Sequence, residues 1–186
     1  MIRLFIALLI PEVVKEKIFE TCVAASGEPD NYKWEAKEKI HLTLKFIGDV
    51  KDDLLPEIIN ETSFITNYSS FDCSISKFGF FFRDNNAKIL WCNLETDVSI
   101  ITLVDELNSR LYNFNIEKES KKFKGHLTLL RIKHKVEEKF IKKIKEYSFD
   151  PIHFKANQIA LIQSFLKPGG SEYKVLKIYE LKERRL

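Results

Sequence analysis

Two histidines head the same tetrapeptide, His-Leu-Thr-Leu, at His41 in IHLTLKFIGD and at His126 in GHLTLLRIK. The chain has four histidines in all, so half of them stand in this phrase. In a β-strand, side chains two positions apart share a face. His41 and Thr43 therefore point one way and Leu42 and Leu44 the other, and His126 and Thr128 repeat the arrangement. Two imidazoles and two hydroxyls converging on one cleft suit the opening of a phosphodiester. One group must accept a proton from the attacking oxygen while another gives a proton to the leaving oxygen. An imidazole, with an ordinary pKa of about 6.5, can do either near neutrality. The hydroxyls of Thr43 and Thr128 can donate hydrogen bonds to the non-bridging oxygens, where the negative charge resides. Each proton has its own carrier, so the chemistry calls for no metal and no cofactor.

A single His-Leu-Thr-Leu would carry little weight, because Leu and Thr are ordinary strand residues. His134 and His153 lie outside the phrase and are read as surface or internally satisfied histidines. Zinc is the rival chemistry for a pair of histidines. It needs a third protein ligand, and neither phrase has a His pair at i, i+4 or a carboxylate at ligand spacing. Asp49 lies too far along the strand.

The two phrases stand 85 positions apart, and the same offset aligns much of the chain. RLFIALL from Arg3 falls on KILWCNL from Lys88, two apolar runs of strand length. The helical stretches from Val13 and Asp52 fall on those from Val98 and Glu137, and ISKFGFF from Ile75 falls on ALIQSFL from Ala160. This is the signature of a duplicated unit, read as strand, helix, His-Leu-Thr-Leu strand, helix, strand, in register without a gap. The stretch from Ile100 to Leu111 has an apolar stripe at helical spacing with Asp97 placed to cap it. A closing strand is expected over 173–181, after the turn signal KPGGS. The fold expected is α/β (α+β). Residues 1–186 make one domain of two pseudo-two-fold lobes, about 1–85 and 86–186, whose antiparallel or mixed sheets flank a central cleft with helices outside.

Composition is consistent with this. Hydrophobic residues are 45% and charged residues 31%, and the net charge of +3 is too small by itself to prove a polyanionic partner. No apolar run reaches the roughly 20 residues of a membrane span. The opening MIRLFIALLIPEVV has the charge and apolar run of a signal peptide, but no small-residue cleavage site follows, so it is read as a buried first strand. Cys22, Cys73 and Cys92 show no motif spacing, which points to buried free thiols and a reducing, cytoplasmic setting.

The doubled motif resembles that of the 2H phosphoesterase superfamily. Within it the chain is similar to the LigT-like RNA 2',3'-cyclic phosphodiesterases, also called RNA 2'-5' ligases. The likeness runs through RLFIALLIPEVV, KWEAKEKIHLTLKFIGDV, FGFFFRDNNAKILWCNL, FKGHLTLLR and IALIQSFLKPGGSEYKVL. It implies hydrolysis of an RNA-terminal or nucleoside 2',3'-cyclic phosphate to a 2'-phosphomonoester, with reversible 2'-5' joining in some members. It implies that His41 donates the proton to the leaving 3' oxygen and that His126 accepts the proton of water. Thr43 and Thr128 would hold the phosphate, and Arg131 matches the basic residue that follows the second motif. The family commonly has Pro before the second histidine, where this chain has Gly125.

Further substrate contacts follow from alternation. Lys45 is two positions past Thr43 and is expected on the His41 face, toward an RNA phosphate. Arg131 is five past His126, which places it on the opposite face unless a bulge redirects it. Lys118, Lys121, Lys122 and Lys124 could form a track for the RNA backbone or an ordinary solvated loop. Phe46, Trp34 and Tyr173 are candidates for stacking on a base. A monomer is expected. The function of a different class is an RNA- or nucleotide-binding module with the same fold and little turnover. The presence of both histidines and both threonines favours the enzyme.

Overall fold

The computed structural model describes residues 1–27 and 32–183. The first half runs β1 (Ile2–Leu9), α1 (Glu12–Ser26), β2 (His41–Val50), α2 (Leu55–Glu61), β3 (Phe71–Ile75) and β4 (Phe78–Arg83). The second runs β5 (Asn86–Asn93), the short β6 (Glu95–Thr96), α3 (Ser99–Leu111), β7 (His126–Arg131), α4 (Glu138–Glu146), β8 (Ile152–Ala156), β9 (Gln158–Lys167) and β10 (Gly170–Glu180). Asp97 does cap α3: its Oδ1 accepts the amide of Ser99 at 3.0 Å, and the stripe from Ile100 to Leu111 is buried. The strand expected over 173–181 is β10. Among the described residues, no helix is long and apolar enough to cross a membrane.

The strands form an antiparallel sheet β10-β9-β1-β2, a second, β4-β5-β7, and a small third, β6-β3-β8. β9-β1-β2 and β4-β5-β7 are the two halves of a pseudo-two-fold. The sheets do not divide at residue 85, however. Each takes its third strand from the other half of the chain: β9 joins β1 and β2, while β4 joins β5 and β7. The repeat also slips in register. His41 pairs with Leu9 and His126 with Asn93, so the partner strands correspond at 84 positions while the motif strands correspond at 85. Phe78 and Ile159, which occupy equivalent places in β4 and β9, are 81 apart. The gapless alignment therefore holds only at the motif strands.

β1 is central in its sheet and buried on both faces. Leu4, Ile6 and Leu8 join the main core with α3 and α1 residues such as Leu103 and Ile18, while Phe5 and Ala7 form a separate small cluster with Ala160 and Ile162 on the cleft side. α1 lies against α4 and α3 against α2. The motif strands line the cleft side of the sheets together with Phe5 of β1, Ser164 of β9 and Tyr173 of β10.

Candidate active site

Neither motif strand keeps simple alternation. In the β1–β2 ladder Thr43 pairs with Ala7 and Lys45 with Ile6, leaving Leu44 as the extra residue of a bulge. In the β5–β7 ladder Thr128 pairs with Trp91 and Leu130 with Leu90, leaving Leu129 extra. Leu44 and Leu129 are repeat equivalents. Each bulge buries two successive residues, so the fifth residue after each histidine returns to the histidine face. Phe46 and Arg131 consequently line one cleft of about 980 Å³ together with His41, Thr43, His126 and Thr128.

The same bulge corrects the expectation for Lys45. Its side chain turns away from the cleft and is 1% exposed, and its ammonium donates to the backbone carbonyl of Glu117. Burial lowers its pKa, opposed by the nearby carboxylates of Glu119 and Glu117. Lys45 ties β2 to the segment leading into His126 and cannot reach a substrate phosphate in the cleft. Its repeat equivalent is Leu130, an apolar core residue.

The imidazole of His126 is seated by the backbone two residues earlier, its Nδ1 lying 2.9 Å from the carbonyl oxygen of Lys124. The backbone of Lys39, likewise two residues before His41, favours the charged form of that imidazole. A carbonyl only accepts, so Nδ1 of His126 carries the hydrogen and Nε2 is the free ring nitrogen. Phe5 stacks on His41 at 5.0 Å and Tyr173 meets it edge-on at 5.6 Å. Phe81 meets His126 edge-on at 4.9 Å and leans on Trp91, whose indole occupies the space over Gly79. His41 is held down to about 4, first by burial and then by the positive charges of Lys15 and Arg131.

Residues 10–91 and 94–173 match the family described as LigT like phosphoesterase. The chain belongs to that family. It is 30% identical to an RNA 2',3'-cyclic phosphodiesterase of Thermotoga maritima over 94% of this chain and 92% of that protein. It is 31% identical to one of Methanocaldococcus jannaschii, over 94% of this chain and 98% of the relative. Its fold is similar to that of the Thermus thermophilus protein TT0787, with TM-score 0.79, 23% identity and coverage of 98% and 100%. Escherichia coli LigT complexed with 3'-AMP gives TM-score 0.75 at 22% identity, covering 98% of this chain and 99% of that one.

In this LigT-like cleft Phe46 is 41% exposed, with the Arg3 guanidinium 5.0 Å from the ring centre. Arg131 pairs with Glu35 at 2.9 Å. Trp34 lines the cleft, edge-on to Phe19 and Tyr32, and Tyr173 packs against His41. Lys118, Lys121, Lys122 and Lys124 do not line it, and Lys118 sits over the Tyr112 ring instead. His134 is exposed, as expected of a surface histidine, but on the cleft rim between Lys133 and Lys135.

Sequence reasoning missed the aromatic support of Phe5 and Phe81 and the cations of Lys33, Lys39, Lys133 and Lys135. The aromatics were hidden among 15 phenylalanines. The IKHK run after Arg131 was a visible signal. Cys22, Cys73 and Cys92 are free and buried, and burial pushes the Cys22 and Cys73 thiols up to about 12, which leaves them inert.

Proposed function

We propose that this chain is a metal-independent RNA 2',3'-cyclic phosphodiesterase that hydrolyses a terminal 2',3'-cyclic phosphate to a 2'-phosphomonoester. One observation carries the reading: both His-x-Thr pairs, His41 with Thr43 and His126 with Thr128, line the same cleft. The names of the relatives at 30–31% identity support the substrate. Water attacks phosphorus and gives its proton to Nε2 of His126. The bond from phosphorus to the 3' oxygen breaks, and His41 protonates that oxygen, leaving a 3' hydroxyl and a 2' phosphate. Thr43 and Thr128 donate to the non-bridging oxygens.

A neutral His41 must gain a proton before it can act. An anionic phosphate beside it favours the imidazolium, so substrate binding raises its pKa toward the working range. With a 5' hydroxyl in place of water and the roles unchanged, the same two groups would join RNA ends through a 2'-5' bond, and they would exchange roles when that bond is cleaved. The three free, buried cysteines support a reducing, cytoplasmic setting.

The test is incubation with an RNA oligonucleotide ending in a 2',3'-cyclic phosphate in excess EDTA. The expected product is the 2'-phosphate, at an undiminished rate. Binding without turnover would favour a nucleotide-binding module. Activity lost to chelation and restored by zinc or manganese would replace this mechanism with a metal-dependent one.

A further inference from the structure

Opening a cyclic phosphate changes its charge. The 2',3'-cyclic diester is a monoanion, whereas the 2'-monoester left by hydrolysis ionises a second time at about pH 6 and is largely a dianion above neutrality. A cleft lined by cations therefore grips the product harder than the substrate, and slow product release limits turnover. Six cations line this cleft: Arg3, Arg131, Lys33, Lys39, Lys133 and Lys135. Among the described residues that line it, Glu35 is the one carboxylate.

Glu35 is fixed twice to the strand that carries His126. Its amide donates to the carbonyl of Leu129, the extra residue of the β7 bulge, at 2.8 Å, and its Oε1 lies 2.9 Å from Nε of Arg131. Trp34 beside it bridges to Leu130. The Glu35 side chain is 18% exposed and that of Arg131 60%, so the acid is set in the wall while the arginine reaches the open cleft. A guanidinium has several N–H donors. Glu35 takes the Nε and leaves the others for an anion, but it offsets the charge that would hold that anion. The pair acts on the catalytic centre: the Arg131 charge reaches His41, and both partners act on the phenol of Tyr173, which packs edge-on to His41.

We propose that Glu35 sets the charge selectivity of this cleft: it weakens the hold of Arg131 on a dianionic 2'-phosphate more than on a monoanionic cyclic phosphate, and so speeds release of the product. This rests on the cyclic-phosphodiesterase reading of the same cleft.

Glu35→Gln keeps an oxygen for Nε of Arg131 and removes the charge. Its effect is read by calorimetry at about pH 8, where a phosphate monoester is doubly ionised. The two ligands are a nucleoside 2'-monophosphate and the methyl ester of that phosphate, which carries one charge. Coulomb energy scales with charge, so the variant should tighten the dianion roughly 5–30-fold and the ester by about the square root of that factor. KM for a nucleoside 2',3'-cyclic phosphate should move with the ester, and product inhibition by the 2'-monophosphate should deepen relative to KM. Glu35→Ala also removes the charge and should give the same ordering, which keeps the test alive if one neutral variant folds poorly. Glu35→Asp keeps the charge and should keep the wild-type ratio of the two dissociation constants. A packing role would shift dianion and ester alike. Equal shifts, no shift, or Glu35→Asp behaving as Glu35→Gln would overturn the inference and leave the phosphodiesterase reading standing. If wild type opens no cyclic phosphate, that reading fails, and the two dissociation constants in Glu35→Gln still decide the charge selectivity. Binding of neither nucleotide by the neutral variants overturns it.

Discussion

His41 is the residue on which structure and chemistry pull in different directions. The proton-donor role asks for an imidazolium, but burial, Lys15 and Arg131 hold the free group down at about 4. In a coupled pair the acid limb of the rate profile reports loss of the last neutral imidazole, a property of the pair. kcat/KM, which reports the free protein, should therefore hold on the acid side to well below the ordinary imidazole value of about 6.5. The acid limb of kcat should lie at higher pH, because the bound phosphate favours the imidazolium. An acid limb of kcat/KM near that ordinary value would show that His41 is not depressed. His41→Ala and His126→Ala should each lower kcat by roughly 10²–10⁴-fold with the fold retained, the usual worth of positioned acid–base catalysis. The same depression has a consequence for stability. Between the unfolded value of 6.5 and about 4 the unfolded chain binds more protons at this site than the folded one. The stability contribution is thus fully present above 6.5 and is lost as pH falls toward 4, by up to about 3 kcal/mol at 1.36 kcal/mol per pH unit. Urea midpoints at pH 7 and at about pH 4.5 should separate less in His41→Ala than in wild type. An unchanged separation would assign the acid sensitivity elsewhere.

At the scale of the strand, the chemistry was legible and the facing of later residues was not. The doubled His-x-Thr needs only the two-residue period, which holds from His41 to Thr43 and from His126 to Thr128. Beyond that the bulges at Leu44 and Leu129 break the period, and a bulge is set by pairing with β1 and β5, which no local pattern encodes. The second strand shows its bulge as two adjacent leucines, Leu129 and Leu130. The first disguises it, because Lys45 stands where Leu130 stands. Comparing the two repeats position by position would have shown Lys45 in an apolar place. Gly125 has its own strand-level reason. A Cβ there would overlap the carbonyl oxygen of Leu94, whose amide in turn bonds the Gly125 carbonyl at 3.0 Å. The family's usual proline has no room here unless that backbone moves. Gly125→Ala should cost about 1–3 kcal/mol, the range for a forced fit in a packed region. Moving His126 by about an ångström should lower kcat roughly 100-fold. Gly169→Ala, with open space around its Cβ, serves as the thermal-melt comparison and should shift little. Equal melts for the two variants would show that the Leu94 contact relaxes freely.

For the whole molecule, the duplication was legible as a repeat, yet the place where it divides was not. Periodicity marks strands and helices but is silent on which strands pair across the chain. That is why a boundary near residue 85 fitted the sequence and does not fit the sheets. β4 leaves the first half to pair with β5, β9 returns from the second half to pair with β1, and β3 pairs with β8 across the pseudo-axis. The main core is one continuous cluster that draws on both halves. Neither half can close its own sheet: alone, residues 1–85 would expose the β1 edge that β9 covers and leave β4 without a partner. Unpaired buried strand edges carry unsatisfied backbone groups, and one repeat cannot bury its apolar face by itself. The intact chain should therefore melt in one cooperative transition monitored by circular dichroism and tryptophan fluorescence together. A fragment of residues 1–85 should show no cooperative melt and little amide protection in hydrogen exchange. A fragment that unfolds cooperatively and protects the β1–β2 amides would mean that each half folds by itself. The strand exchange between sheets would then be a late docking event and not a condition of the fold.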